Sequence, residues 1–328
     1  MLPMTMKAIV VNKYGGPEHF QLKDVDKPTP KEDEVLIKIH ATAVNDYDWC
    51  LMTGKPYLYR LMFGLIKPNN QIPGMELSGV IEALGEKAAS FKVGDAVYGD
   101  ISDYGFGSFA EYICINAKAL VLKPTKMSFE EAASIPHAAM LATQGLIDIG
   151  KIQTGQQILI NGAGGGVGTF GLQIAKLKGA VVTGVDTGDK LKMMKLIGFD
   201  HVIDYKKEDF TKNGLCYDLI LDAKTNRSIF SYMHSLSIHG RYVTVGGELS
   251  RLLQIFLLKP WFSKFSQKSI AIVVLKPNKD LDYVNELYEA GKIKPIVDGP
   301  YKLSEVPELI QYFGEGKHTG KVVITLET

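Results

Sequence analysis

The segment Gln156–Gly179, QQILINGAGGGVGTFGLQIAKLKG, opens with an apolar run suited to a buried strand. It then passes through a glycine cluster and continues as a helix pattern with Leu172, Ile174, Ala175 and Leu177 available for packing. Backbone amides at the start of such a helix, with the helix dipole behind them, favour a pyrophosphate. Gly166 and Val167 supply those amides. A side chain at Gly165 would obstruct the phosphates, and one at Gly168 would hold the helix off the strand. A lone GxGxxG is weak evidence, because many turns carry it by chance. Here a second strand ends at Val185, and Asp186 follows at about the distance of a carboxylate that accepts from ribose hydroxyls. The alternative is a purely structural glycine-rich turn; the context on both sides favours a dinucleotide.

Two further places share that chemistry. Gly246 and Gly247 follow a fifth apolar strand at its carboxyl end, the edge where doubly wound folds bind ligands. They would let the backbone approach a nicotinamide ribose, although a plain turn explains them nearly as well. Val274 and Leu275 end a sixth apolar run, where backbone groups would meet the carboxamide; the run itself demonstrates only burial.

The elements that must position these residues are read from periodicity. Up to about residue 125 the chain carries short β-like runs, Val35–Val44, Gly79–Leu84 and Phe109–Ile115, divided by turn formers such as Gly15-Gly16-Pro17 and Gly94-Asp95. That predicts a mostly antiparallel β domain. From about 129 strands alternate with helices: Gln157–Asn161, Ala180–Val185, His201–Tyr205, Tyr217–Asp222, Arg241–Val245 and Ile270–Leu275. This α/β rhythm predicts a doubly wound parallel sheet. A helix pattern at Asp280–Ala290 and a terminal β run, Lys321–Leu326, suit a return to the first domain. The expected division is 1–128 with 276–328, and 129–275. With no repeat and no low-complexity linker, the domains are expected to pack with a cleft between them.

A chain of 328 residues, 46% hydrophobic, is long enough for two cores, and Lys+Arg 37 against Asp+Glu 36 provides no basic groove for nucleic acid. The partner expected is a small molecule. Cys50, Cys114 and Cys216 are far apart and form no CxxC pair, which suits a reducing compartment. The start, MLPMTMKAIVV, lacks a secretory pattern, and no stretch reaches about 18 uninterrupted apolar residues. A cytoplasmic protein without stable membrane insertion is expected.

Ala163-Gly164-Gly165-Gly166-Val167-Gly168, with Ala in place of the first glycine, resembles the nucleotide loop of zinc-independent quinone oxidoreductases, a branch of the medium-chain dehydrogenase/reductases. The resemblance extends to Tyr14-Gly15-Gly16-Pro17, VNDYDW at 44–49, IPGMELSGVIEALG at 72–85, HVIDYKKEDF at 201–210 and GKVVITL near the end. It implies a GroES-like β domain, a Rossmann cofactor domain, and hydride transfer from NADPH to quinones or α,β-unsaturated carbonyls. It also implies a homodimer paired through the sixth strand. Lys190, fifteen residues before Tyr205, resembles the family's phosphate-binding lysine and adenine-side tyrosine, and Thr187 adds a hydroxyl donor. Lys190 and Thr187 beside a 2′-phosphate should outweigh Asp186, taken as free to rotate toward solvent. NADPH is therefore expected to be preferred, with weaker use of NADH.

In zinc-dependent relatives the catalytic metal is held by a Cys, by the His of a GHE motif and by a further Cys or acidic residue. The corresponding positions here are Asn45, Met75 beside a retained Glu76, and an apolar stretch near Ala139. No zinc is expected, and His137 is read as a satisfied histidine. A conjugated acceptor suits such a site, because the incoming charge spreads onto a distal oxygen that a hydrogen bond can support. By resemblance Asn45 sits beside the nicotinamide and orients the acceptor or the ring; the bland reading is a loop-stabilising asparagine. Asp46 replaces the proline that often follows it. Tyr47, Trp49 and Tyr57 supply an aromatic wall or a weak acid, or are core. Thr143 resembles the threonine that approaches the nicotinamide or its phosphate, against a helix threonine bonding its own backbone. Arg251–Phe265, interrupted by Pro260, reads as a cover over the acceptor pocket in preference to a membrane-surface helix. Two other functions stay open: a reductase or dehydrogenase of another carbonyl or alcohol, and an NADPH-responsive regulatory protein with little turnover.

Overall fold

A computed structural model describes residues 5–326, apart from the side chains of Met62 and Ser263. The reading of the amino terminus rests partly on residues 1–4, which lie outside the described residues. In chain order the strands are β1 (Thr5–Val11), β2 (Phe20–Asp26), β3 (Glu34–Ala43), β4 (Glu76–Leu84), β5 (Ala96–Asp100), β6 (Tyr112–Asn116) and β7 (Val121–Leu122). There follow β8 (Gln157–Asn161), β9 (Val181–Asp186), β10 (His201–Asp204), β11 (Tyr217–Asp222), β12 (Leu236–Thr244), β13 (Ser269–Ile272), β14 (Val297–Lys302) and β15 (Lys321–Thr325).

Two compact units result. The first takes the chain up to His137, Pro277–Leu281 and everything from Val297. Its larger sheet runs β14-β15-β3-β4-β5-β7, with β6 also on β3; all pairs are antiparallel except β14 with β15. β3 buries Val35, Ile37, Ile39, Ala41 and Ala43, every second residue, as a strand facing a core must. Ile9, Leu77, Val97, Phe109 and Ile324 join that core.

The second unit takes Ala138–Lys276 and Asp282–Ile296. Its sheet is wholly parallel in the order β10-β9-β8-β11-β12-β13. Counted from β8 this is 3-2-1-4-5-6, with the winding reversing between β8 and β11, the switch point at which such folds bind dinucleotides. The boundary falls nine residues beyond 128. Asp282–Ile296, expected in the first domain, belongs to the second because Gln173 holds Lys294 through both its backbone N and O, at 2.7 and 3.0 Å.

Two local expectations are corrected. β13 stops at Ile272, since the Val273 N–H to Thr244 O bond is the last of its ladder; Val274 and Leu275 lie past the strand, and Val274 is exposed. Pro260 does not interrupt its segment: a helix runs through it, Leu249–Phe265. The proline costs one backbone bond, while Ile255 and Phe262 stay anchored in the core over the parallel sheet.

Candidate nucleotide site and a buried polar cluster

β8 leads through Gly162, at φ +85°, into the helix Gly166–Leu177, with Gly165 as its N-cap. The first-turn amides of Gly166, Val167 and Gly168 lie ahead of the helix's own carbonyls and are left for another acceptor. Gly168 is fixed by packing: a Cβ there would stand 2.5 Å from Ala163 Cα and from the carbonyl oxygens of Gly162 and Ala163. The helix therefore sits closer to the turn than any side chain at 168 allows.

Asp186 does not rotate toward solvent. It is buried, with Oδ2 accepting from Gly164 N at 2.8 Å and Oδ1 from Thr187 N at 2.8 Å, and Lys190 Nζ lies 3.5 Å from Oδ1. Gly164 is part of that arrangement, because a Cβ there would meet Lys190 Cδ at 2.6 Å. The Tyr205 amide donates to Asp186 O at 3.2 Å, and its ring packs against the sheet core.

Thr143 ends the helix Pro136–Thr143 and is buried, and its Oγ1 has no hydrogen-bond partner; it does not bond its own backbone. Two residues on, Gly145 packs against Leu221, Val245 and Val273, at the carboxyl ends of β11, β12 and β13. At the same edge Gly247, at φ +125°, has room for no side chain: a Cβ would fall 1.4 Å from Thr225 Oγ1. Thr225 Oγ1 donates to Gly246 O at 3.1 Å. Asp222, fully buried, orders this edge by accepting from Thr225 N and Lys224 N at 2.9 Å, Asn161 Nδ2 at 2.9 Å and Tyr242 OH at 2.7 Å. The sequence reading missed that network, whose signal is a polar residue at the carboxyl end of each neighbouring strand. Free first-turn amides, a glycine-only contact and an orphaned buried hydroxyl together fit a dinucleotide.

The first unit holds a second polar cluster. Asn45 Nδ2 donates to Glu76 Oε1 at 2.9 Å and to Ala43 O at 3.3 Å, while Asn45 Oδ1 accepts from Lys321 Nζ. Lys321 also pairs with Glu76 Oε1 at 2.5 Å, and Glu76 Oε2 accepts from His137 N at 3.0 Å. Asp48 is fully buried and accepts from Asn45 N at 2.8 Å and Gly74 N at 3.0 Å. Burial pushes the Asp48 carboxyl up to about 7, against the pull of those two N–H groups and Lys321. His137 Nδ1 lies 2.8 Å from Asp100 Oδ2; burial works against the Asp100 charge, yet the bonds from His137 and Ser102 hold its pKa below the usual carboxylate value. His137 is thus a satisfied histidine.

The Asn45 amide, expected to face a reactant, spends both its hydrogens inside this network. Tyr47 stands in an aromatic group with Phe63 and Phe106, and burial raises its pKa. Trp49 and Tyr57 do not join it: Trp49 packs on the core against Gly314, and Tyr57 is exposed beside Arg60. Among the described residues no group of three or more His, Cys, Asp or Glu is arranged to hold a metal.

Two family models match the chain: the alcohol dehydrogenase GroES-like domain over residues 31–125, and zinc-binding dehydrogenase over 197–324. The chain is 33% identical to 2-methylene-furan-3-one reductase of Solanum lycopersicum, over 98% of its own length and 80% of the relative's. It is 31% identical to the chloroplastic NADPH-dependent alkenal/one oxidoreductase of Arabidopsis thaliana, with the same coverage. The solved quinone oxidoreductase of Coxiella burnetii superposes with a TM-score of 0.87 at 25% identity, covering 98% of this chain and all of that one. Fold and site thus define a medium-chain dehydrogenase/reductase, with a GroES-like domain and a Rossmann domain. Within that superfamily the chain belongs to the quinone oxidoreductase branch.

Proposed function

We propose that the protein transfers hydride from NADPH to quinones or α,β-unsaturated carbonyls. The observation that carries this reading is the turn from β8 into the helix Gly166–Leu177, whose free amides and glycine-only packing fit a pyrophosphate. The names of the relatives, reductases of alkenals, furanones and quinones, point to conjugated acceptors. When bound, the nicotinamide supplies the hydride.

The residues of the chain bind and orient. Gly166 and Val167 hold the pyrophosphate, and Gly165 leaves it room. Thr143 Oγ1, lacking any partner, donates to the bound nucleotide. Gly246 and Gly247 admit the ribose, and Val274 and Leu275, beyond the ladder, offer backbone groups to a carboxamide. Lys190 and Thr187 take the 2′-phosphate and Tyr205 lines the adenine side. Asp186 is already committed to Gly164, Thr187 and Lys190, so it offers a ribose hydroxyl little and sets the preference towards NADPH over NADH. In the GroES-like domain Asn45 acts as a positioning residue that holds Glu76 and Lys321. Tyr47, its pKa raised by burial, keeps a neutral hydroxyl able to donate. No zinc takes part in this reading, since Asn45 and Met75 are poor ligands for it. The free cysteines fit a cytoplasmic setting, and β13, at the sheet's edge, fits pairing in a homodimer.

Steady NADPH oxidation with quinones, enones and saturated ketones tests the reading. Conjugated acceptors should turn over and saturated ketones should not; preferential turnover of the saturated set would refute it. In the same assay Lys190→Ala should raise KM for NADPH far more than for NADH, and equal effects would remove Lys190 from the phosphate site.

A further inference from the structure

The helix Leu249–Phe265 anchors Ile255 and Phe262 in the core of the parallel-sheet domain and turns another face outward. On that outward face Leu253, Phe256, Leu257, Trp261 and Phe265 are each more than half exposed, and Phe230, on the neighbouring helix with its ring 6.0 Å from Phe262, is exposed as well. A contiguous outward stripe of this kind marks an interaction surface. The charge around it is one-sided. From Leu249 to Lys279 the chain holds Arg251, Lys259, Lys264, Lys268, Lys276 and Lys279 and no Asp or Glu. Lys259 and Lys264 are exposed on the helix itself.

We propose that this helix docks the protein on an anionic phospholipid bilayer, lying in the plane of the interface. Leucine and aromatic side chains on one helix face enter the headgroup boundary, and flanking lysines meet lipid phosphates. Trp261 and the three phenylalanines are the ring types that occupy that depth. The helix has 17 residues and does not cross a membrane; no helix among the described residues is long and apolar enough to do so. A second copy of the chain would also cover apolar area, but an interface with its own image would bring these lysines against one another. The one-sided charge therefore favours the lipid.

Co-sedimentation of the full chain with vesicles tests this. The protein should pellet with vesicles containing phosphatidylglycerol, much less with pure phosphatidylcholine, and less again as salt screens the lysines. Trp261 emission should shift to the blue on binding, while Trp49, packed on the other domain's core, stays constant. The double variant Phe256→Glu, Leu257→Glu should weaken partition by about tenfold or more, equivalent to ~1.4 kcal/mol. Lys259→Glu, Lys264→Glu should abolish the preference for anionic lipid. Because all four side chains are exposed, circular dichroism and thermal midpoint should match wild type. Failure of the wild type to pellet with anionic vesicles overturns the proposal, as does binding unchanged in both variants. A dimer that light scattering shows dissolving in the Phe256, Leu257 variant, with no vesicle binding by wild type, assigns the face to a second copy. None of these readouts depends on turnover, so the result stands apart from the acceptor assay.

Discussion

A threonine buried without a partner is a cost, because its hydroxyl has lost water and gained nothing. Thr143 carries that cost in the protein without nucleotide, and the bound nucleotide removes it. Thr143→Val keeps the shape and deletes the hydroxyl, so two measurements should move in opposite directions. The urea midpoint without nucleotide should rise, by about 1 kcal/mol in stability, and NADPH should bind about tenfold more weakly. A loss in both, or in neither, would mean that Oγ1 does not address the cofactor. Asp48 is a second buried group with a measurable signature. Its folded pKa is about 7 and its ordinary value is 3.8. Between those values the unfolded chain has released the proton that the folded chain retains. Stability should therefore fall as pH rises through this window and level off above about 7. Asp48→Asn should lack that slope, whatever its absolute stability; urea melts across the window in both proteins decide it, and equal slopes would mean Asp48 is ionised throughout.

The turn between β8 and its helix works because Gly168 lets two backbones touch. Gly168→Ala places a methyl 2.5 Å from Ala163 and Gly162, so the helix must shift. Overpacking of this kind costs about 1–3 kcal/mol. Since the same shift moves the amides of Gly166 and Val167, NADPH affinity should fall beyond what the stability loss explains. Fluorescence titration at a temperature where the variant is fully folded separates the two effects, and unchanged affinity there would show that the amides do not hold the phosphates. Elements of this kind were the most legible from sequence. β8 and β11 begin and end where their apolar runs do, because both are interior strands whose residues are buried throughout. Legibility failed at β13, where the apolar run continues through Leu275 but the ladder stops. Hydrophobicity reports burial, and Val273 is buried without being part of the strand. It failed also at Pro260, where tertiary anchors on both sides outweighed one missing backbone bond.

At the scale of the whole molecule, the polar cluster joins Asn45, Glu76, His137 and Lys321, which are widely separated in sequence and meet only once the sheet has closed. Lys321 is invisible as a site residue in GKVVITL, which reads simply as a strand, and no local pattern couples it to Asn45. Its ammonium sits between Asn45 and Glu76, at positions where a zinc-dependent relative would place metal ligands. The purified protein should accordingly contain no stoichiometric zinc and should keep its NADPH oxidation in chelator. One tightly bound zinc per chain, with activity lost on its removal, would contradict this.

The pairing of β15 with β3 has a consequence for how the protein is made. On the ribosome the residues up to His137 emerge first, yet their sheet lacks a strand, and Glu76 lacks its cation, until Lys321–Thr325 has been translated. At about 5–20 residues per second, the interval from His137 to Lys321 is roughly 10 to 40 s. Throughout it the β3 edge that β15 will take is open and an acidic side chain lacks its buried partner, while the parallel-sheet domain is produced in between. The domain that begins first is thus completed last, and during those seconds its open strand edge is the part of the nascent chain that a chaperone has reason to cover.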